Sequence, residues 1–128
     1  MKAFCLLFLF LLSTSLHAQE QADTLTFRIL GYNVENLFDY RHDSLKNDYE
    51  FLPGATRHWN YTKYKKKLDN IARAIIAAGE WNPPAIVALC EVENDSVMRD
   101  LTCYSILKEA DYRYVMTQSP DELSLIHI

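Results

Sequence analysis

A short apolar segment in the second half of the chain constrains the fold more than any other feature. Ala85 to Cys90 is a run of small and apolar residues that follows a proline pair and precedes Glu91. Its length and composition are typical of a buried central strand. Side chains at the end of such a strand face the crevice where α/β folds bind ligands, so Glu91 is a candidate functional residue. A divalent metal is one cation that stabilises a carboxylate there. The alternative is a solvated acid where the strand reaches the surface.

A second group of polar residues follows an earlier predicted strand. Asn33 and Glu35 lie in the segment from Gly31 to Asp39, directly after an apolar series. Asn33 can both donate and accept a hydrogen bond, and Glu35 shares its face if the strand continues. These two residues are therefore candidates for the same site as Glu91. The alternative is that Asn33 and Asn36 only form a turn.

The remaining pattern predicts strands and helices in alternation. The predicted elements are a strand from Thr24 to Tyr32 or Asn33, a helix from Thr62 to Ala78 with Thr62 as N-cap and Gly79 at its C-terminal end, a helix from Asp95 to Ala110 capped by Asn94, and a strand from Tyr112 to Thr117. With the central strand, the order is β-α-β-α-β, which indicates an α/β layer whose acidic strand ends meet at one rim. A parallel crossover suits this order, with antiparallel pairing as the alternative.

Two polar stretches have both a functional and a structural interpretation. The segment from Tyr40 to Asn60 has the length of a lid or binding loop, and Arg57 and His58 within it could reach a phosphodiester. The alternative is an ordinary surface with Trp59 packed beneath the next helix. In that helix, we interpret the run Lys65-Lys66-Lys67 as a solvated face rather than a nucleic-acid patch.

Residues 1–18 have the three parts of a secretory signal peptide. Lys2 supplies the positive charge, Ala3 to Leu12 are apolar, and Ala18 ends a stretch of small residues suited to cleavage. The apolar run is shorter than the roughly twenty residues that a membrane helix needs, which disfavours a retained anchor. We therefore expect a secreted or periplasmic chain that begins near Gln19 and has no membrane association after cleavage.

Composition is that of one small folded domain. Apolar residues make up 49% of the 128 residues, which argues against disorder. The net charge of -4 becomes -5 when Lys2 is removed, so no basic surface for wrapping a nucleic acid is expected, although docking at a local patch stays open. Of the cysteines, Cys90 and Cys103 remain after cleavage. We expect two buried thiols, with a disulfide as the alternative in an oxidising compartment.

Three segments together carry a resemblance to a known family. They are Ile29 to Asn36, the helix around Leu68 to Ile76, and Ile86 to Glu93. Their order and spacing resemble the start of the endonuclease/exonuclease/phosphatase superfamily, which are metal-dependent phosphoesterases with a DNase I-like fold. The resemblance implies that residues 19–122 form the N-terminal half of a two-sheet α/β sandwich, truncated here. The loop before the first helix is most similar to that of secreted bacterial members.

The resemblance also implies a reaction and a set of site residues. Glu91 would be the principal ligand of Mg²⁺ or Mn²⁺, and Asn33 would contact the scissile phosphate or orient the catalytic groups. Glu35 occupies the place where some members carry an acid that assists a metal, whereas no role is implied for Glu93. The reaction would be in-line attack of water on a phosphoester. The substrate class stays open, with nucleic acid, nucleotides, phospholipid headgroups and phosphoinositides as candidates.

The chain also departs from this family. Members complete the site with an Asp-x-Asn pair and an Asp-His pair, and neither occurs in the sequence. His127 lies in residues 123–128, a hexapeptide that a sequencing adaptor encodes and that we predict to be artefactual; a genuine short strand is the alternative. We therefore expect the chain as printed to hydrolyse little or nothing. The competing hypothesis is a non-catalytic secreted α/β binding module.

Overall fold

The computed structural model describes residues 27–44, 46–80, 82–117 and 126–127. The predicted signal peptide lies outside these residues. The chain forms, in order, β1 (Ile29–Leu37), a short 3-10 helix (Tyr49–Phe51), α1 (Tyr61–Ala78), β2 (Ile86–Val92), α2 (Asp95–Cys103), a second 3-10 helix (Ile106–Ala110) and β3 (Ile126–His127). β1 pairs with β2 in parallel, and β3 pairs with β2 in antiparallel fashion. The α/β class is confirmed. No helix within the described ranges is both long and apolar enough to cross a membrane.

The parallel pairing brings the carboxyl ends of β1 and β2 to one edge of the sheet. The register is regular up to the pair Asn33 and Cys90, and the next pair is Leu37 with Val92. The strand β1 therefore advances four residues where β2 advances two, which leaves a bulge with two extra residues. The bulge lets β1 continue to Leu37, beyond its predicted end at Tyr32 or Asn33.

The apolar stripe of α1 is buried as predicted. Its members are Tyr64, Leu68, Ile71, Ala72 and Ile75. The prediction of Thr62 as N-cap is wrong, because the helix begins at Tyr61 and the Asn60 side chain accepts a hydrogen bond from the Lys63 amide at 3.1 Å. Gly79 does end the helix, but its φ of -81° is not left-handed. A glycine is required for space, since a Cβ there would collide with the Asn82 carbonyl oxygen.

The second predicted helix is shorter than expected. Asn94 caps it as predicted, accepting a hydrogen bond from the Val97 amide at 3.0 Å. The helix ends at Cys103 instead of Ala110, and a 3-10 helix follows. The Ser105 hydroxyl donates to the Leu101 carbonyl at 2.5 Å and accepts from the Leu107 amide at 3.1 Å. These bonds compete with the helical pattern and explain the break.

The predicted strand from Tyr112 to Thr117 is not present as a strand; the segment makes only an isolated bridge at Met116. Its tyrosine hydroxyls hold it instead. Tyr112 donates to the Pro84 carbonyl at 2.5 Å, and Tyr114 donates to the Asp95 carboxylate at 2.9 Å. Side-chain bonds to the connection before β2 and to the start of α2 thus hold the segment in place of a regular backbone ladder.

Apolar packing covers one face of the sheet. Val34, Leu37, Leu89 and Val92 join the stripe of α1 and the inner side of α2 in one core. On the opposite face, Ile29 is 64% exposed and its partner Ile86 is 47% exposed. In a two-sheet sandwich, this apolar face would pack against the second sheet, which is not among the described residues.

The two described cysteines are not paired. Cys90 is half-buried in β2, and Cys103 is exposed at the end of α2. Both thiols are free, as expected, but neither is fully buried: the predicted burial is met only in part by Cys90 and is wrong for Cys103. The reason is that Cys103 occupies the last turn of α2, on the side away from the residues that face the core.

Candidate functional site

The structure brings Asn33 and Glu91 into direct contact at the rim formed by the carboxyl ends of β1 and β2. The Asn33 side-chain nitrogen donates to Oε1 of Glu91 at 2.8 Å. The backbone amide of Asn36 donates to Oε2 of the same carboxylate at 2.9 Å. Each carboxylate oxygen therefore accepts one hydrogen bond from β1. Two residues that lie 58 positions apart in the sequence are joined as the sequence predicts.

Left-handed backbone conformations concentrate at this contact. Glu35, Asn36 and Glu91 have φ values of 55°, 61° and 64°. Non-glycine residues rarely adopt this conformation, which costs on the order of 1–3 kcal/mol each and clusters at functional sites. Here it turns the Asn36 amide out of the β1–β2 ladder and toward Glu91. Asn36 thus forms a turn and contributes to the site at once, which unites the two interpretations of this segment.

Asn33 is fixed at both ends of its amide group. Its oxygen accepts a hydrogen bond from the Glu35 backbone amide at 2.8 Å, while its nitrogen donates to Glu91. A side chain held by two bonds has one orientation, and that orientation presents a donor to the carboxylate. The geometry supports an orienting role for Asn33 more directly than a contact with phosphate.

The expectation that Glu35 shares a face with Asn33 rests on regular strand alternation, which the folded chain does not have here. Glu35 sits in the bulge, so the regular alternation that puts residues two apart on one face does not apply to it. Its side chain is exposed. The described residues contain no group of three or more His, Cys, Asp or Glu side chains arranged to hold a metal ion. A metal-binding role for Glu35 stays a prediction.

Lys67 of α1 contacts the backbone of the bulge, and the sequence interpretation did not predict this contact. Its ammonium donates to the Glu35 carbonyl at 2.5 Å and to the Asn36 carbonyl at 3.1 Å. The side chain is half-buried and lies 5.7 Å from the centroid of the Trp59 ring. Burial lowers the Lys67 pKa, while the charges of Glu35 and Glu91 oppose that effect.

The interpretation of the whole lysine run as a solvated face is therefore wrong for Lys67. The signal was available in the helical spacing, because Lys67 follows Tyr64 by three residues and precedes Ile71 by four. It therefore flanks the buried stripe. Lys65 is also engaged, donating to Asp69 at 2.9 Å and to the Tyr104 carbonyl at 3.0 Å. Only Lys66 of the three is exposed.

Aromatic packing organises the loop between β1 and α1. Phe38 and Phe51 stack with ring centroids 4.3 Å apart, and Phe51 meets Trp59 edge-on at 6.1 Å. The Trp59 ring nitrogen donates to the Phe38 carbonyl at 3.0 Å. Trp59 is thus a packing residue, as its structural interpretation proposed. Arg57 is exposed and pairs with Glu50 at 3.0 Å, so its contact with a substrate stays a prediction, as does that of His58.

A buried carboxylate, Asp48, fixes the first half of the same loop. It is 1% exposed, and its two oxygens contact the His42 ring nitrogen and the Asp43 backbone amide, each at 2.7 Å. The carboxylate replaces backbone bonds that an irregular loop cannot make for itself. His42 therefore has a structural partner within its own loop.

Glu93 is the most unusual acid near the rim. It is 1% exposed, its Oε2 accepts a hydrogen bond from the Asp39 amide at 2.8 Å, and its Oε1 has no partner among the described residues. Burial raises the pKa of Glu93 to about 7, helped by the nearby charges of Asp39 and Asp48. The residue joins the end of β2 to the segment after β1. Sequence interpretation gave it no role.

Comparison with known proteins gives one match. The sequence model of the Endonuclease/Exonuclease/phosphatase family matches residues 28–126, which include both strand ends and Glu91. The chain belongs to this family. No curated protein and no solved structure matched. Family membership suggests hydrolysis of phosphoester bonds as the general activity, and the Asn33–Glu91 contact lies within the matched residues.

The donor set at the rim fits a hard divalent cation. A carboxylate oxygen can accept two hydrogen bonds or ligand contacts, and each Glu91 oxygen uses one of these on β1. The half-exposed position leaves the other directions toward solvent. Mg²⁺ commonly takes one or two protein carboxylates and keeps several waters, so a single oriented carboxylate is compatible with it.

Proposed function

We propose that this chain carries the metal-binding half of a divalent-metal-dependent phosphoesterase. The observation that supports this most directly is the Glu91 carboxylate, held at both oxygens by Asn33 and the Asn36 amide on a strained rim. Three residues of this rim are left-handed, at a cost on the order of 1–3 kcal/mol each. Such a costly arrangement is expected where the direction of a carboxylate matters for chemistry.

In this proposal, each rim residue has a distinct task. Glu91 would hold Mg²⁺ or Mn²⁺, and Asn33 would keep the carboxylate from rotating. Glu35 would be a second acid near the metal. When bound, the metal would polarise a phosphoryl oxygen and stabilise the leaving oxygen during attack by water. The exposure of Asn33, Glu35 and Asn36 leaves the rim open to a phosphoester, with nucleic acid among the candidate substrates.

We further propose that the 128-residue chain hydrolyses phosphoesters little or not at all. The resemblance assigns an Asp-x-Asn pair and an Asp-His pair to the complete site, and the sequence contains neither. Without them, the general base that the resemblance implies is not among the residues of the printed sequence. Export to the periplasm or the medium, directed by residues 1–18, belongs to the same proposal.

Binding of Mn²⁺ tests the proposal without requiring turnover. We expect the paramagnetic effect of Mn²⁺ on water protons to show weak binding that Glu91→Gln reduces about tenfold. Glu109→Gln is the matched control, because Glu109 is exposed and lies near Pro83 to Ala85, at the opposite end of β2 from Glu91. Equal affinity in wild type and Glu91→Gln would refute the metal role.

A parallel assay tests the expected lack of activity. The chain is incubated with Mg²⁺ and a chromogenic phosphodiester, and the rate is compared with the rate without protein. Cleavage that depends on Mg²⁺ and is abolished by Glu91→Ala would contradict the prediction of an inactive chain. Metal binding without cleavage is the expected result, and absence of both would favour the non-catalytic binding module.

A further inference from the structure

The bulge of β1, composed of Glu35 and Asn36, needs an external restraint. Both residues are left-handed, with φ values of 55° and 61°, and neither is glycine. Strain of this kind persists only when surrounding contacts hold it. The Asn33 side chain supplies one contact, to the Glu35 amide. The Phe38 amide donates to the Asn36 carbonyl at 3.1 Å. Because the register with β2 is interrupted between Asn33 and Leu37, the bulge carbonyls take a further donor from outside the ladder.

Lys67 supplies that donor to both carbonyls at once. Its ammonium lies 2.5 Å from the Glu35 carbonyl oxygen and 3.1 Å from that of Asn36. The ammonium group has three donors and no acceptor, so it can serve two carbonyls without competition. The long side chain starts on α1, a helix with a buried stripe, and this anchors the ammonium relative to the sheet.

Asn36 connects this contact to the metal-binding carboxylate. Its amide belongs to the peptide group whose carbonyl is that of Glu35. That carbonyl accepts from Lys67 at 2.5 Å, and the amide donates to Oε2 of Glu91 at 2.9 Å. If Lys67 no longer binds the Glu35 carbonyl, this peptide group loses the bond that opposes its rotation, although the Asn36 carbonyl still accepts the Phe38 amide at 3.1 Å. Rotation would turn the Asn36 amide away from Glu91, leaving the carboxylate fixed only by Asn33.

We propose that Lys67 is a positioning residue that clamps the bulge and thereby holds the Asn36 amide against Glu91. The functional meaning of this inference rests on the proposed metal role of Glu91. The clamp itself is a property of the metal-free chain, so it can be tested separately. Lys67 acts through Asn36 and does not need to touch the substrate.

The test follows the Asn36 amide by nuclear magnetic resonance in the presence of a chelator. A charge-assisted bond to Glu91 is expected to move its proton resonance downfield and slow its exchange with water. Lys67→Met keeps much of the side-chain length but removes the donors. We expect this variant to shift the Asn36 resonance toward its position in Glu91→Gln and to speed amide exchange about tenfold, the equivalent of one lost hydrogen bond.

Lys66→Met is the control, because Lys66 is exposed and precedes Lys67 on the same helix. It should leave the Asn36 resonance unchanged. A folded Lys67→Met chain with the wild-type Asn36 signal would overturn the proposal, even if its thermal stability fell. Lys67→Arg, which retains the charge and several donors, serves if Lys67→Met does not fold. It should preserve the signal, and its loss in folded Lys67→Arg would also overturn the clamp.

The two proposals fail separately. An unchanged Mn²⁺ affinity in Glu91→Gln would refute the metal role and leave the Asn36 result standing. A wild-type Asn36 signal in Lys67→Met would remove the clamp and leave the metal role standing.

Discussion

Replacing Glu93 with Gln should make the stability of this protein less dependent on pH. Burial raises the folded-state pKa of Glu93 to about 7, whereas its ordinary value is 4.5. The folded chain therefore binds this proton more tightly than the unfolded chain does. Below about pH 4.5, Glu93 is protonated in both states and does not lower the free energy of unfolding. As the pH rises from there through about 7, the unfolded chain ionises more readily than the folded chain, so the free energy of unfolding falls.

The size of the effect follows from the same two values. A rise in the pKa of Glu93 from 4.5 to about 7 corresponds to a loss of about 3 kcal/mol in the free energy of unfolding above pH 7. Glutamine resembles the protonated acid in shape and lacks the charge, and its oxygen can still accept the Asp39 amide bond. We expect Glu93→Gln to match wild type near pH 4 and to be more stable by about 2–3 kcal/mol at pH 8.

Urea unfolding monitored by tryptophan fluorescence measures this difference at several pH values. Glu109→Gln is the control, because Glu109 is exposed and should give a difference that does not vary with pH. The reasoning is refuted if Glu93→Gln differs from wild type by the same amount at pH 4 and pH 8. It is refuted equally if the variant is less stable at pH 8, since Oε1 would then have a partner that depends on its charge.

Two further substitutions, each with a comparison variant, test what sets the two ends of α1. Gly79→Ala should destabilise the chain by about 1–3 kcal/mol, because the added Cβ meets the backbone at Asn82. Gly54→Ala should be nearly neutral in the same urea experiment, because its Cβ meets open space. Equal effects of the two substitutions would contradict this account. Asn60→Ala should cost about 1 kcal/mol through loss of the cap to Lys63. Thr62→Ala should cost less than about 0.5 kcal/mol, and a larger effect than that of Asn60→Ala in thermal melts would restore Thr62 as the cap.

Much of the candidate site was predictable because it lies at the ends of strongly patterned elements. Glu91 follows an apolar run whose length permits little besides a strand, and Asn33 follows another. Parallel pairing then places both at one edge of a sheet. The elements that failed were those bounded by side-chain bonds. Ser105 breaks the second helix through two such bonds, and no periodic pattern of apolar residues signals them.

The amino-acid sequence by itself determined which residues are apolar at strand or helix spacing, and hence the order of elements, the buried stripe of α1 and the family. Those features depend on local periodicity, which is present in the chain before it folds. Tertiary structure alone decided the rest of the rim. The two-residue bulge, the contact of Lys67 with Asn36 and the raised pKa of Glu93 all arise where segments distant in sequence meet. Strain and desolvation exist only after packing has excluded water and closed the register, so composition and spacing do not reveal them.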